Sequence, residues 1–414
     1  MTPTDTCDVL VIGAGLAGLQ CARTLQHAGL HVQVWEAQDH VGGRIRTDEV
    51  DGFLMDRGFQ VLNPAYPAVQ QHIDVDALGL QSFGSGACVR REDRLAVLAD
   101  PRREPQHLGD VLRSGYLRPG WLAALARWAT PALGAVSRLT HGADRSRAEG
   151  MDQAGLTGPL REVVDAFIAG VVLEDDGSTS DSYVRLQLRM FALGAPGLPR
   201  EGMQALPEQL AAGLGQPVRT GVRVRSVEQG RAGATVQAEG LRAQAQLVVV
   251  ATGARVAQEL VGVQAPAMKG VVTDWFTMPT APQAPPMLVL DGRGATAGPV
   301  KNAAVITAAA PSYAPPGRHM VQSSCLLGDG GVPSVAEVLR HTGELYGVDT
   351  GDWELLLRHE VPEALPVQRA PLRTRRSMQV SESVVVCGDH MDTASIQGAL
   401  VSGTRAARGY LRRL

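Results

Sequence analysis

The sequence predicts an α/β chain: a Rossmann-like dinucleotide-binding domain interleaved with an α+β second domain. Three observations carry this. A short apolar strand, Asp8–Ile12, runs into Gly13-Ala14-Gly15-Leu16-Ala17-Gly18 and then a helical pattern over Leu19–Ala28. A second strand, His31–Trp35, ends on the acidic residue Glu36. Far downstream, Gln246–Ala251 and Ser383–Cys387 are continuous apolar runs of the kind buried on both faces of a sheet.

The first unit reads as strand, glycine turn, helix, strand. Gly13 makes the tight turn, Gly15 lets the main chain approach a pyrophosphate, and Gly18 lets helix and strand pack closely. The helix N-terminus, with its free N–H groups and the positive end of its dipole, suits phosphate, and Leu16 and Ala17 in the turn before it are cofactor-binding candidates. Glu36 is placed to accept hydrogen bonds from ribose hydroxyls. Gly29 stops the helix.

Between 102 and 190 apolar residues recur at helical spacing, punctuated by Pro119-Gly120, Pro131, Gly155 and Gly158-Pro159. Several helices are expected there. Val218–Val227 and Thr235–Glu239 read as strands joined by a turn near Gly230, and Gly270–Met278 and Met287–Leu290 as strands of a second sheet. Gly398–Tyr410 reads as a closing helix. No linker separates these blocks, which implies interleaved domains. The expected division is 1–62, 200–256 and 376–414 for the dinucleotide domain, and 63–199 and 257–375 for the other. In the latter, helices cover about 102–195 and a sheet about 268–325.

Composition excludes several classes. In 414 residues the net charge is −3, so there is no basic excess for nucleic acid. Five cysteines, an odd number without a CxxC pair, suggest neither a disulfide framework nor a zinc site, and fit a reducing, cytoplasmic setting. Of the ten histidines only His27 and His31 stand at HxxxH spacing, astride the helix-stopping Gly29, and no metal site is expected. The N-terminus carries Asp5 and Asp8 ahead of its apolar run, unlike a signal peptide, and no stretch reads as a membrane span.

After Glu36 comes Val41-Gly42-Gly43-Arg44-Ile45-Arg46, where two glycines and an arginine can wrap the far side of a pyrophosphate. This VxGxGxxG…E…GGR arrangement resembles the flavin-containing amine oxidase superfamily, which also holds protoporphyrinogen oxidases and carotenoid desaturases. The resemblance implies non-covalent FAD and a glutathione-reductase-like binding domain. It extends to Val386-Cys387-Gly388-Asp389-His390 and Ser395–Ala407, which look like the family's second flavin motif. There Asp389, after Gly388, would bond the ribityl–phosphate region, and the main chain of Ile396 would face the flavin ring. The Gly52–Phe59 stretch matches the loop returning to the flavin, with Gly58 and Phe59, and the main chain of Val224 would hold the adenine. Cys387 reads as a buried, inert thiol, and His390 as either a phosphate-side group or a capping residue.

The substrate is less constrained. No second glycine fingerprint opens a helix, so no NAD(P)H domain is expected and electrons would leave to dioxygen or a quinone. Lys269 lies where the amine oxidases of the superfamily carry a lysine that bridges through water to flavin N5; the alternative is an ordinary strand-start lysine. Ser395 stands where those oxidases place an aromatic ring, and no aromatic residue occurs between Cys387 and Val401. The motif looks closer to the carotenoid-desaturase and protoporphyrinogen-oxidase branch. That implies hydride transfer from an apolar, isoprenoid-like substrate to N5, with a peroxide-producing amine oxidase, a porphyrinogen oxidase and a non-catalytic flavoprotein as alternatives. Tyr116–Leu139, with Trp121, Trp128 and interspersed arginines, suits either a cap over a substrate cavity or a peripheral membrane contact. Oligomeric state is not legible.

Overall fold

A computed structural model of the chain describes residues 4–230, 233–294, 297–328 and 331–414. Two sheets organise it. The first has six strands in the order Val32–Trp35, Thr4–Ile12, Leu241–Val250, Gly233–Ala238, Val224–Gly230. Its sixth, Val384–Val386, runs parallel to the far half of Leu241–Val250. Ile12 pairs with Val250 and with Trp35, so the parallel strands end in step. The chain beyond each end is tied to its neighbour: Gly13 N donates to Trp35 O (2.7 Å), Ala251 N to Ile12 O (2.8 Å) and Cys387 N to Val250 O (3.0 Å). The carboxyl ends of parallel strands, where order reverses, form the crevice in which open α/β sheets bind ligands.

The expected βαβ unit is present, its helix spanning Leu16–His27. It starts three residues earlier than the periodicity suggests because Gly15 is already the N-cap. The expected strand from Val218 begins only at Val224: Gly221 turns the chain at φ +71°, and Arg219 makes an isolated bridge to Trp35. The expected turn near Gly230 includes residues 231–232, outside the described residues. The closing helix, Ile396–Leu411, lies so close to the first that a Cβ on Gly403 would collide with the main chain of Ala17.

The second sheet has seven strands, in the order Glu354–Pro366, Met268–Met278, His319–Leu327, Val300–Val305, Leu288–Asp291, Gly86–Arg90, Leu95–Ala99. It is wider than the expected 268–325. It takes in a short hairpin from before the helical region, and an edge strand whose Pro362 and Pro366 argue against a strand in sequence yet suit an edge. Helices including Pro119–Ala129, Gly158–Val172 and Asp181–Leu193 cover this sheet, with Trp128, Leu160, Val163, Val172 and Tyr183 packed against Ala87, Val89 and Leu290.

Candidate cofactor and substrate site

At the crevice the backbone dictates the residue types. Gly13 sits at φ +101°, and a Cβ there would lie 2.8 Å from Ala251 O. A Cβ on Gly18 would collide with Gly13 O, so this glycine serves helix–strand packing. Gly42, at φ +114°, bridges Gly15, and its N–H donates to Ala14 O (2.8 Å). The two glycine segments thus form one cradle.

Glu36 closes the cradle on one side. Its Oε2 accepts from Ala14 N (2.7 Å) and its Oε1 from Gln38 N (2.9 Å), which fixes the carboxylate while leaving a lone pair on each oxygen. Glu36 O accepts from Val222 N (2.8 Å) and draws Val222–Arg225 to the same side. On the other side Arg44 Nη2 donates to Asp389 Oδ1 (2.5 Å) and Nη1 to Ala364 O (2.9 Å). Ser395 caps the final helix by accepting from Gly398 N (3.1 Å).

These groups line one continuous cavity of about 1490 Å³. Gly13, Gly15, Leu16, Ala17, Glu36, Gly42, Gly43, Arg44, Gly58, Phe59, Val224, Gly388, Asp389 and Ile396 all reach it, as does His390. Gly58 and Phe59 form its bend. Phe59 is held at φ +49°, a conformation non-glycine residues rarely adopt, and stacks edge-on against Phe83 at 6.0 Å. Beyond the bend the cavity widens into a chamber walled by Leu122, Leu125, Trp128, Val163, Phe167 and Phe191. The 116–139 segment therefore caps the cavity, one of the two roles expected for it.

Besides Gly18, which packs helix against strand, one sequence-derived candidate, Lys269, does not line the cavity. Its Nζ donates to Thr179 Oγ1 (2.7 Å) and Val172 O (3.0 Å), and stands 3.7 Å from Glu174 Oε2. Burial holds its pKa down to about 8, against the pull of Glu174. Lys301, the other lysine, pairs with Asp175 at 2.9 Å. Both lysines fasten the loop that follows the Gly158–Val172 helix, so the Lys269 ammonium is engaged by Thr179, Val172 and Glu174.

Sequence reasoning missed three polar residues at the junction of cradle and chamber. Tyr66 OH donates to Gln187 Oε1 (2.7 Å), and Tyr183 OH to Ala394 O (2.6 Å), next to Ser395. Burial raises both phenol pKa values, so both stay neutral donors. No motif marks them; Tyr183 and Gln187 share the Asp181–Leu193 helix, and Tyr66 reaches them only by packing. His390 is 3% exposed, and its Nε2 finds no hydrogen-bond partner among the described residues. Burial lowers its pKa and keeps the ring neutral.

The model of the flavin-containing amine oxidoreductase family matches residues 16–410. The chain belongs to that family. As a family member it is a flavin-dependent oxidoreductase, and its cofactor is FAD. Among curated relatives it is similar to putrescine oxidase of Kocuria rosea, 30% identical over 237 residues, which is 51% of this chain and 47% of that protein. It is also similar to mitochondrial protoporphyrinogen oxidase of Nicotiana tabacum, 28% identical over 174 residues, 42% of this chain and 34% of that protein. The matched stretches thus span half or less of these relatives. A solved oxidoreductase from Methanosarcina mazei shares the fold at TM-score 0.76 and 17% identity, covering 97% of this chain and 99% of that one.

The flavoprotein's own residues fit the cofactor. The first turn of the Leu16–His27 helix has no side-chain cap, leaving its N–H groups for a phosphate. A Cβ on Gly15 would meet nothing nearer than Gly42 O at 4.0 Å, so that side is open to a ligand.

Proposed function

We propose that this flavoprotein dehydrogenates an apolar, isoprenoid-like substrate, with electrons leaving to dioxygen or a quinone. FAD, bound non-covalently, supplies the hydride acceptor. Gly13, Gly15, Leu16, Ala17, Gly42, Gly43 and Arg44 hold its pyrophosphate, and Glu36 its ribose. Val224 takes the adenine, and Gly388, Asp389 and Ile396 the ribityl and ring end. Gly58 and Phe59 close the bend, while Gly18 acts through packing. Segments 1–62, 200–256 and 376–414 form the cofactor unit, and 63–199 with 257–375 the substrate unit.

The chamber wall carries the substrate reading. Its helices present leucine, valine, phenylalanine and Trp128. Two charged residues that line the cavity beside these helices, Asp100 and Arg103, stand at the rim, where Arg103 donates to Ala192 O (2.9 Å) from an exposed position. A cation-bearing chain would lose its hydration in such a chamber without a counter-charge. Amine oxidation is the second reading. It is favoured by the likeness to putrescine oxidase and by the Tyr66 and Tyr183 rings, which can face a nitrogen. Anaerobic bleaching of the bound flavin by a linear isoprenoid, with an amine panel and a porphyrinogen in parallel, separates these readings.

An apolar substrate calls for delivery from a lipid phase. Leu112 (65% exposed), Leu133 (58%) and Leu193 (54%) stand out around the chamber, with Arg113 and Arg118 beside them. No described helix is long and apolar enough to cross a membrane, so the contact is peripheral. Co-sedimentation with anionic phospholipid vesicles, lost in Leu112→Glu/Leu133→Glu, is the expected result. Absence of wild-type binding to any vesicle contradicts this contact.

A further inference from the structure

The sheet wall of the chamber holds a polar group that neither the motifs nor the cofactor accounts for. Asn302, in the Val300–Val305 strand, is 5% exposed and lines the cavity. The sheet around it contributes Val271, Leu288 and Leu290 to the same wall. Its orientation is set by the backbone. Val300 pairs with Cys325 and Asn302 with Ser324, so Lys301 is an extra residue, a β-bulge. In a regular strand Val300 and Asn302 would share a face. Here Val300, Ala303 and Val305 pack into the core on one side, and the bulge turns Asn302 to the other.

Its hydrogen bonds fix which end of the amide faces the chamber. Oδ1 accepts from Gln322 Nε2 (3.1 Å), Gln322 Oε1 accepts from Ser324 Oγ (3.0 Å), and Ser324 Oγ lies 3.1 Å from Thr273 Oγ1. This buried chain crosses three adjacent strands and holds the oxygen inside the sheet. Nδ2 donates to no protein group among the described residues and is not enclosed by protein. It lies against Gly170 of the Gly158–Val172 helix, where any Cβ would collide with it. A bulge, a three-strand chain and a glycine thus converge on presenting one N–H donor to an apolar chamber.

We infer that Asn302 is a specificity residue whose Nδ2 donates to a neutral acceptor oxygen (carbonyl, hydroxyl or ether) carried by the otherwise apolar substrate. The inference rests on the apolar-chamber reading above. A carboxylate is the wrong partner, because Lys301 is engaged by Asp175 and an unpaired charge in this wall is costly. The substrate class narrows to an apolar chain with a neutral oxygen function placed to meet the sheet wall.

The test compares a linear isoprenoid hydrocarbon with the methyl ketone of the same skeleton, bound by the holoprotein in detergent. Binding is read by quenching of tryptophan fluorescence, since Trp128 lines the chamber. Wild type is expected to bind the ketone roughly three- to tenfold more tightly, the worth of one buried neutral hydrogen bond. Asn302→Leu, and Asn302→Ala as a smaller change, should abolish that preference and leave hydrocarbon affinity and flavin content unchanged. Equal wild-type binding of the two ligands, or a preference that survives both substitutions, overturns the role of Asn302 and leaves the apolar chamber standing. Binding of neither ligand overturns both.

Discussion

Arg44 and Asp389, 345 residues apart, meet through Nη2 and Oδ1 at 2.5 Å on the cavity wall. The first glycine-arginine segment and the last strand–helix segment are therefore one structure, locked by an ion pair whose acidic member is buried. Arg44→Met leaves the Asp389 carboxylate without its cation. Loss of roughly 1–3 kcal/mol of stability is expected in urea titrations, with at least a tenfold weaker flavin by dialysis. Unchanged flavin retention would detach this pair from the cofactor.

Lys269→Met tests whether that ammonium is structural. It removes the donor to Thr179 Oγ1 and Val172 O and the cation beside Glu174. About 2 kcal/mol of stability should be lost, in keeping with a buried charged hydrogen bond. Reoxidation of reduced flavin by dioxygen should keep its wild-type rate. Slowed reoxidation at unchanged stability would return Lys269 to the flavin.

Asp56 gives a pH signature away from the cavity. Its carboxylate is buried, accepting from Thr47 Oγ1, Met203 N and Tyr313 OH, and burial raises its pKa from 3.8 to about 6. A raised folded-state pKa means the native state binds the proton more tightly. The resulting stability is fully present below 3.8 and lost as pH rises through about 6. Asp56→Asn should gain on wild type by roughly 3 kcal/mol between pH 4 and 7. A pH-independent difference between the two denaturation series would contradict the assignment.

The cradle was legible because its backbone admits few residues. Gly13 and Gly42 lie at positive φ, and Gly18 lies where a side chain would strike Gly13 O. Such constraints write themselves into sequence as spacing. The chamber leaves no such trace. Trp128, Phe167, Gln187 and Asn302 come from three helices and a strand and become neighbours only through tertiary packing. The surroundings of Lys269 were hidden for a related reason: its strand position was readable, but its partners 90 or more residues away were not. The bulge at Lys301 is equally silent, because it depends on pairing with the His319–Leu327 strand.

The most direct test of an apolar-substrate flavoprotein is the anaerobic visible spectrum of the holoprotein during titration with a linear isoprenoid, followed by an amine panel. Bleaching of the flavin by the isoprenoid, with no response to amines, is the predicted result. Bleaching by an amine, with the isoprenoid inert, would contradict the assignment and make this chain an amine oxidase in chemistry as well as in family.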